Sequence, residues 1–579
     1  MKKCLVLDTE PKNWPKSYDL FFLGYWCLEK VKDSFKKLKR FNIIDHEKDV
    51  SNQKVDRYVD QYDQICKNLL NDISRELNLI HKKKFSKRFW TIIIGPWLKI
   101  FVGIVLERYT SLKFALEKKK FNKIILADYR YFNFYCENLS DFEDKISHFG
   151  NSWNLYLYTR IFEFLNINIP VKKVRINSLS NKIEKKQDQI FIKRILSKIL
   201  RFFMKKRDYF ISDNPFSFLK NFKFYFFLNQ IPQININPKY RAAKKNNSLR
   251  SRLKFKKKNI SNVEKFIREI LPDILPTDSI ENFSYLNKIC NNLPWPKKPR
   301  LIFSMYSYQQ NEVFKLWAAK KIEEKARYVV AQHGGSYFTS KHVSFLPEIE
   351  SCDKFISWGK IKDKKNVSLF NFRTDKNTLS KKRTKIFFYS SWMHNMRARA
   401  FPEYKFNLNA NISMAEIISG LNKKNKKSVI IRINKFNEKK LERKIIKEIL
   451  FKKYKYQLDN FRYTKKEIFS KSKLTVHLTN STGFLETMAA NVPSVLILPN
   501  LNWVQNSAKE DFNKLKEAKI LFFKTKLLTN HINKNIDNIG NWWNDKEVIK
   551  ARNNFIKKYS MPLSKNPESK FANLLKKLA

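Results

Sequence analysis

Glycine is scarce, with 10 residues in a chain of 579. That scarcity argues against collagen-like, propeller and glycine-linker architectures, all of which spend glycine freely. Neither GxGxxG nor GxxxxGKS occurs, which disfavours a dehydrogenase or a P-loop ATPase. Cysteine is sparse too. Cys4, Cys27, Cys66, Cys136, Cys290 and Cys352 are scattered, with no CxxC pair and no histidine at ligand spacing. A zinc site or a disulfide framework is not expected, and a reducing cytoplasm fits. Acidic residues are few beside basic ones: 53 Asp and Glu against 116 Lys and Arg, a net charge of +63.

An excess of that size fits a polyanionic partner, either nucleic acid or an anionic membrane face. It also fits an A·T-biased coding sequence that spreads lysine over every solvated surface, since Lys, Asn, Ile and Phe are abundant together. Lysine is distributed along the chain and no nucleic-acid fold signature accompanies it, so nucleic acid is not expected as a partner. The coding bias is the favoured account of the charge, and peripheral attraction to an anionic membrane is the main alternative to it. Hydrophobic content of 43% and aromatic content of 15% are those of a globular chain, and its length provides for two domains or more.

One long apolar run is present, Phe89 to Leu106, with Gly95-Pro96 in its middle and Lys99 near its centre. It reads either as a membrane span or as a buried helix pair broken at the proline, and the central Lys and Pro count against spanning. The run Cys4–Leu7 after Met1-Lys2-Lys3 is too short for a signal-peptide core and reads as a buried strand.

Strand signals follow at Ile124–Asp128, Arg300–Ser304, Tyr328–Ala331 and Phe355–Gly359, then at Lys385–Tyr389, Ser428–Ile433, Leu474–Leu478, Ser494–Leu498 and Ile520–Phe523. Helical patterns fill the gaps, and Lys360–Arg383 reads as a linker. Strands alternating with helices twice over predict an α/β protein with two Rossmann-type parallel-sheet domains facing a cleft. Helical insertions are expected at about 50–120 and 177–298. The Lys- and Phe-rich stretch 177–265 has weak periodicity, and its basic clusters, Lys185-Lys186 and 254–258, read as solvated. Residues 541–579 look helical.

The most informative segment is Thr479–Pro493, between the apolar runs Leu474–Leu478 and Val495–Leu498. Strand, tight turn, helix and strand make one βαβ unit. Ser481, Thr482 and Gly483 stand where the helix begins, so hydroxyls, free N–H groups and the helix dipole converge on an anion there. Glu486 lies one turn further in, within reach of sugar hydroxyls behind a bound phosphate. The same residues fit plain helix capping. Gln332-His333-Gly334-Gly335-Ser336 follows a strand, and at the carboxyl end of a strand His333 fits either a base or phosphate donor or a structural histidine in a glycine turn. Ser390 and Ser391 fit phosphate binding or a cap. Arg432 fits a diphosphate contact or a salt bridge at the sheet rim. Asp8, Glu10 and Trp14 lie in the loop after the first strand and Asp128 after another. Each fits an acceptor-side role, a carboxylate base or a stacking ring, or an ordinary loop position.

Phe22-Leu23-Gly24-Tyr25-Trp26-Cys27, Ile94-Gly95-Pro96-Trp97-Leu98, Gln332-His333-Gly334-Gly335 and Asn480–Thr487 together resemble, in order and over nearly the whole chain, a family of large transferases encoded in O-antigen and other surface-polysaccharide gene clusters. The central and C-terminal part is also similar to capsule-polysaccharide and CDP-glycerol glycerophosphotransferase enzymes of the GT-B type. The resemblance implies a GT-B-like fold with the donor nucleotide on the C-terminal domain. The expected bounds are an acceptor domain at 1–370 and a donor-nucleotide domain at 371–540, with the helical segment 541–579, read from its pattern, packing back on the junction. Ser481, Thr482 and Glu486 match the donor-binding pattern, His333 the histidine-glycine turn, and Trp97 the Gly-Pro-Trp segment. The strand at Arg432 departs by lacking the His-Pro pair of capsule transferases.

The function so implied is a glycosyltransferase with a nucleotide-sugar donor and a lipid-linked or polysaccharide acceptor. It is expected in the cytoplasm, peripheral on the inner membrane face. His333 or Glu10 is expected as base, Ser481, Thr482, Gly483, Glu486, Arg432, Ser390 and Ser391 on the donor, and Asp8, Trp14 and Asp128 on the acceptor. No cofactor or obligatory metal is expected. A CDP-linked polyol-phosphate transferase, a nucleotide-sugar epimerase and a non-catalytic polyanion- or membrane-binding protein are the alternatives.

Overall fold

The computed structural model describes residues 2–579 except 33, 35–36, 45, 47–49, 131–134, 177–204, 234–237, 343, 375–382, 392–402, 434–445, 447, 450–456 and 460–461. Lys185-Lys186 and Trp392, beside Ser391, lie outside the described residues. Three parallel sheets are present, one more than the two expected. The first holds β1 (Lys3–Val6), β2 (Asp19–Phe22), β3 (Asn42–Ile43), β4 (Lys123–Asp128) and β5 (Val171–Arg175) in the order β3-β2-β1-β4-β5. The second holds β6 (Phe210–Ile211), β7 (Leu301–Ser304), β8 (Arg327–Ala331), β9 (Lys354–Ser357) and β10 (Asn366–Ser368) in the order β10-β9-β8-β7-β6. The third holds β11 (Lys385–Tyr389), β12 (Val429–Arg432), β13 (Gln457–Asp459), β14 (Ser472–His477), β15 (Ser494–Ile497) and β16 (Leu521–Phe522) in the order β13-β12-β11-β14-β15-β16.

Leu301–Ser304 and Ser494–Ile497 are buried along their whole length, as strands covered on both faces by helices must be. The first and third sheets reverse direction between their first and fourth strands, at β1/β4 and β11/β14. The third follows the full doubly wound order, and the crevice outside such a reversal is where ligands bind. The second sheet runs in simple sequence and has no reversal.

The apolar run expected as a span or a broken pair is one continuous helix, Lys87–Lys118, with Pro96 inside it. Among the described residues it alone is long and apolar enough to cross a membrane, and 89% of its most apolar window is buried within the protein. It packs on the Asn52–His81 helix, and Ser51 and Ser86 cap the two by accepting from Lys54 N and Phe89 N. Proline removes an N–H and crowds the carbonyl four residues back. Close to that disturbance the buried Lys315 ammonium donates to the Ile93 carbonyl at 3.2 Å.

The expected linker 360–383 is not merely a connection. Its first part forms β10, the edge of the second sheet, and Arg373 within it reaches the third sheet. The helices Lys546–Tyr559 and Pro567–Leu578 close the chain. Gly359 lies so near them that a Cβ would sit 2.2 Å from the Lys558 carbonyl oxygen. Lys360 N donates to Lys557 O and Met561 N to Trp358 O, so the second sheet is tied by its backbone to the Lys546–Tyr559 helix and to the connection that follows it.

Candidate functional site

β14 ends at His477, and the turn 478–481 leads into the Thr482–Ala489 helix. Ser481 occupies the cap position, yet its side chain makes no capping bond. The Thr482 hydroxyl instead accepts from Gly335 N at 2.7 Å, and the Ser336 hydroxyl donates to Asn480 O at 2.7 Å. The turn before the Thr482–Ala489 helix of the third sheet therefore touches the histidine turn of the second. A Cβ on Gly335 would stand 2.5 Å from Thr482 N and 2.7 Å from Ser481 C, so this approach requires glycine. Gly483 faces the His477 and Tyr389 rings, which a Cβ would meet at an ordinary 3.6–3.7 Å. Those rings stack at 4.6 Å across the β11/β14 reversal. Burial pushes the His477 imidazole down to about 3, so it is a neutral floor beneath the turn.

Glu486 is buried one turn into the helix and does no capping. Its carboxylate accepts from Arg373 Nε at 2.9 Å and pairs with Lys465 Nζ at 3.2 Å. Arg373 continues across the junction: its Nη1 donates to the His333 carbonyl at 3.4 Å and to Tyr306 Oη at 3.3 Å. Lys465 also donates to the Arg373 carbonyl at 2.6 Å.

His333 follows β8. Its Nδ1 meets Tyr337 Oη at 2.8 Å and Tyr308 Oη at 3.2 Å, and its Nε2 lies 3.4 Å from Gln309 Nε2. The two tyrosine hydroxyls are 2.9 Å apart, and both donate to Glu348 Oε1, at 3.0 and 3.2 Å. Burial lowers the His333 imidazole to about 4, against the opposing pull of the Glu348 carboxylate. Burial likewise lifts both tyrosines far above their ordinary value. In the tautomer protonated on Nδ1, His333 donates to Tyr337, Tyr337 donates to Glu348, and the Nε2 lone pair accepts from the Gln309 amide, a long contact that a substrate hydroxyl would have to displace.

The loop bearing Tyr306, Tyr308 and Gln309 is held by Asp213. That carboxylate accepts from Met305 N, Tyr306 N and Ser307 N at 2.9 Å each, and from the Ser304 and Ser307 hydroxyls at 3.0 and 2.6 Å. Burial opposes its charge, but these donors outweigh burial and hold the carboxyl below its usual range.

The other expected site residues are engaged elsewhere. Arg432 Nη1 binds Asp459 and donates to the Tyr463 carbonyl at 2.8 Å, the rim salt bridge of the two readings. Ser390 donates through N and Oγ to Arg432 O, and the Ser391 hydroxyl donates to Asn407 Oδ1 at 2.6 Å. The two serines thus tie the end of β11 to the end of β12 and to the Glu403–Gly420 helix. Asp8 is fully buried and gathers its own loop, accepting from Glu10 N, Asn13 Nδ2 and Trp14 Nε1. Burial raises its pKa despite those bonds. Trp14 packs edge-on against Phe22. Glu10 pairs with Lys30, and Asp128 with Arg130, which lowers the Asp128 carboxyl. These four lie on the first sheet, Asp8 and Asp128 at the carboxyl ends of the neighbouring strands β1 and β4, whereas His333 belongs to the second.

Sequence reasoning missed Arg373, Lys465, Tyr308, Tyr337, Glu348 and Asp213. The rule that singled out His333 applied equally one strand earlier, where Tyr306–Gln309 follow β7.

A sheet in the 3-2-1-4-5-6 order, with a helix start at its reversal, defines a doubly wound α/β protein. The family described as LIC12162 family transferase matches residues 3–575, and the chain belongs to that family. It is a transferase. No curated protein matches the chain. Among solved structures it is similar to MurG of Acinetobacter baumannii, at 12% identity over 52% of this chain and 79% of that one, TM-score 0.31. It is similar to the UDP-GlcNAc 2-epimerase of Neisseria meningitidis bound to UDP-GlcNAc, at 12% identity over 52% and 82%, TM-score 0.33. A third is the spinosyn rhamnosyltransferase SpnG complexed with thymidine diphosphate, at 10% identity over 52% and 77%, TM-score 0.29.

Proposed function

We propose that the protein transfers a sugar from a nucleotide-activated donor to an acceptor hydroxyl of a growing surface polysaccharide of O-antigen or capsule type. The observation that carries this reading is the joint at Gly335 and Thr482, where the His333 turn and the Ser481–Thr482 helix start meet at 2.7 Å. It brings a neutral imidazole and an anion-binding helix terminus to one junction.

The uncapped Ser481 hydroxyl and the first N–H groups of the helix receive the donor phosphates. Arg373 and Lys465, already converging on Glu486, supply positive charge to the leaving nucleoside diphosphate. Glu486 accepts hydroxyls of the donor once those cations turn to phosphate. The acceptor oxygen attacks the anomeric carbon, its proton passes to His333 Nε2, and the carbon–oxygen bond to phosphate breaks. Glu348 offsets the imidazolium through Tyr337. We assign the base to His333 and not to Glu10, whose carboxylate is paired with Lys30. Arg432 and the serines after β11 are assigned to the frame of the cleft. The crevice of the first sheet, beside Asp8, Trp14 and Asp128, is the proposed acceptor side, and the inner face of the cell membrane the proposed place of work.

Calorimetry against UDP, GDP, CDP and CMP tests the reading. One of them binds, and Ser481→Ala weakens it with the fold intact. Failure of the whole panel removes the basis for a nucleotide-activated donor.

A further inference from the structure

The Phe218–Phe227 helix, FLKNFKFYFF, is apolar on two sides. Its inner side is ordinary: Phe224 stacks on Phe571 at 5.1 Å, and Phe224, Tyr225 and Leu228 are buried against the second sheet and the Pro567–Leu578 helix. Its outer side is not. Phe218, Leu219, Phe222 and Phe226 are 73%, 76%, 49% and 78% exposed, and Ile231 just beyond is also exposed. At about 100° per residue those four helical positions share one arc of roughly 100°. Half of the large exposed hydrophobics among the described residues fall within these fourteen positions, so this is a patch and not scatter.

Cations border it. Lys220 and Lys223 occupy the next sector of the same helix, and both are exposed. The packed neighbour Pro567–Leu578 exposes Lys570, Lys576 and Lys577. Neither helix exposes a carboxylate: Glu568, the one acidic residue on either, is buried and lies 3.8 Å from Lys220. A second copy of this chain would bring lysine against lysine, in a protein already carrying +63. Apolar rings flanked by lysines match an interface of acyl chains beneath anionic headgroups.

We propose that the outer face of the Phe218–Phe227 helix docks on a lipid bilayer bearing anionic headgroups, with the phenylalanines entering the acyl boundary and the lysines meeting the headgroups. The helix begins five residues after Asp213, whose carboxylate holds the Tyr306–Gln309 loop over His333. Phe216, just before the helix, packs on Phe372, the neighbour of Arg373. Docking therefore sets the His333 cleft beside the membrane. That last step, which serves a lipid-linked acceptor, rests on the transferase reading, whereas the docking face does not.

Co-sedimentation without nucleotide tests the face alone, using vesicles of phosphatidylcholine with and without about one-third phosphatidylglycerol. The native chain pellets with the anionic vesicles, and salt of about 0.5 M weakens but does not abolish retention. Phe218→Ser/Phe222→Ser/Phe226→Ser lowers retention about tenfold or more at unchanged melting temperature. A Phe226→Cys chain carrying an environment-sensitive dye shifts to the blue on the same vesicles. Native-like retention of the triple variant means attachment by charge alone and overturns the proposal. So does a dye already shielded without lipid, which would place another part of the chain over the face. A dimer that the triple variant dissolves overturns it as well. Nucleotide calorimetry on the triple variant stays native-like, so loss of docking and loss of the donor site read out separately.

Discussion

Arg373 spans the junction between the second and third sheets, donating through Nε to Glu486 at 2.9 Å while its Nη1 reaches the His333 carbonyl at 3.4 Å. One guanidinium thus connects the carboxylate assigned to the donor with the backbone of the assigned base. Arg373→Ala is expected to weaken nucleoside diphosphate binding about tenfold or more and to leave nucleoside binding nearly unchanged, because the lost contact is to phosphate. Titration calorimetry with UDP and uridine, or the matching pair for the preferred base, separates the two.

Glu486→Ala removes the shared partner of Arg373 and Lys465. Nucleotide binding weakens, and the melting temperature falls by only a few degrees because the Arg373 side chain is 44% exposed. A collapse of stability equal to the loss of binding would mark Glu486 as a structural ion pair and nothing more.

Removing the His333 imidazole tests the base. His333→Ala should reduce transfer about 10²- to 10⁴-fold while donor affinity holds. Tyr337→Phe breaks the route to Glu348 and should give a smaller loss, with an altered pH profile. Equal transfer by all three chains would dismiss the imidazole as the base.

Acid should destabilise the protein before its carboxylates titrate. His333 and His531 are depressed to about 4 and His477 to about 3, in each case chiefly by burial. Between those values and the ordinary 6.5 the unfolded chain binds more protons than the folded one. Stability is thus complete above about pH 6.5, declines as pH falls toward 4, and levels off once the folded imidazoles protonate. His477, the most deeply buried, contributes on the order of 3 kcal/mol or more to that decline. Chemical denaturation at stepped pH measures it, and His477→Gln should flatten the slope if the chain folds.

Gly335→Ala places a methyl group against the backbone of Thr482, which cannot yield as a flexible side chain would. A loss of about 1–3 kcal/mol is expected, with weaker nucleotide binding because the two turns are forced apart. Thr482→Val deletes only the hydrogen bond to Gly335 N and should cost about 1 kcal/mol. Denaturant midpoints rank the two.

The central strands were legible because burial on both faces leaves an unbroken apolar run, as at Ile386–Phe388, Val429–Ile431 and Val495–Ile497. The edges were not. Val171–Arg175 is a strand of three cations and two valines with one buried residue, and Gln457–Asp459 and Asn366–Ser368 are short and largely polar. Without the edges the first two sheets could not be told apart. The site divides in the same way. His333, Ser481, Thr482 and Glu486 stand at strand ends and helix starts that a local pattern marks. Arg373, Glu348 and Lys465 reach the site from segments whose place only the tertiary fold determines.

Asp213 carries a final consequence. The loop after β7 gathers three backbone N–H groups and two hydroxyls around one point, the same chemistry we propose for a phosphate at the start of the Thr482–Ala489 helix. On the second sheet that seat is filled by the protein's own carboxylate. On the proposed function, the described residues offer a phosphate the seat at Ser481 and deny it the one at Asp213, which gives a donor with a phosphate at one end a preferred way round to lie.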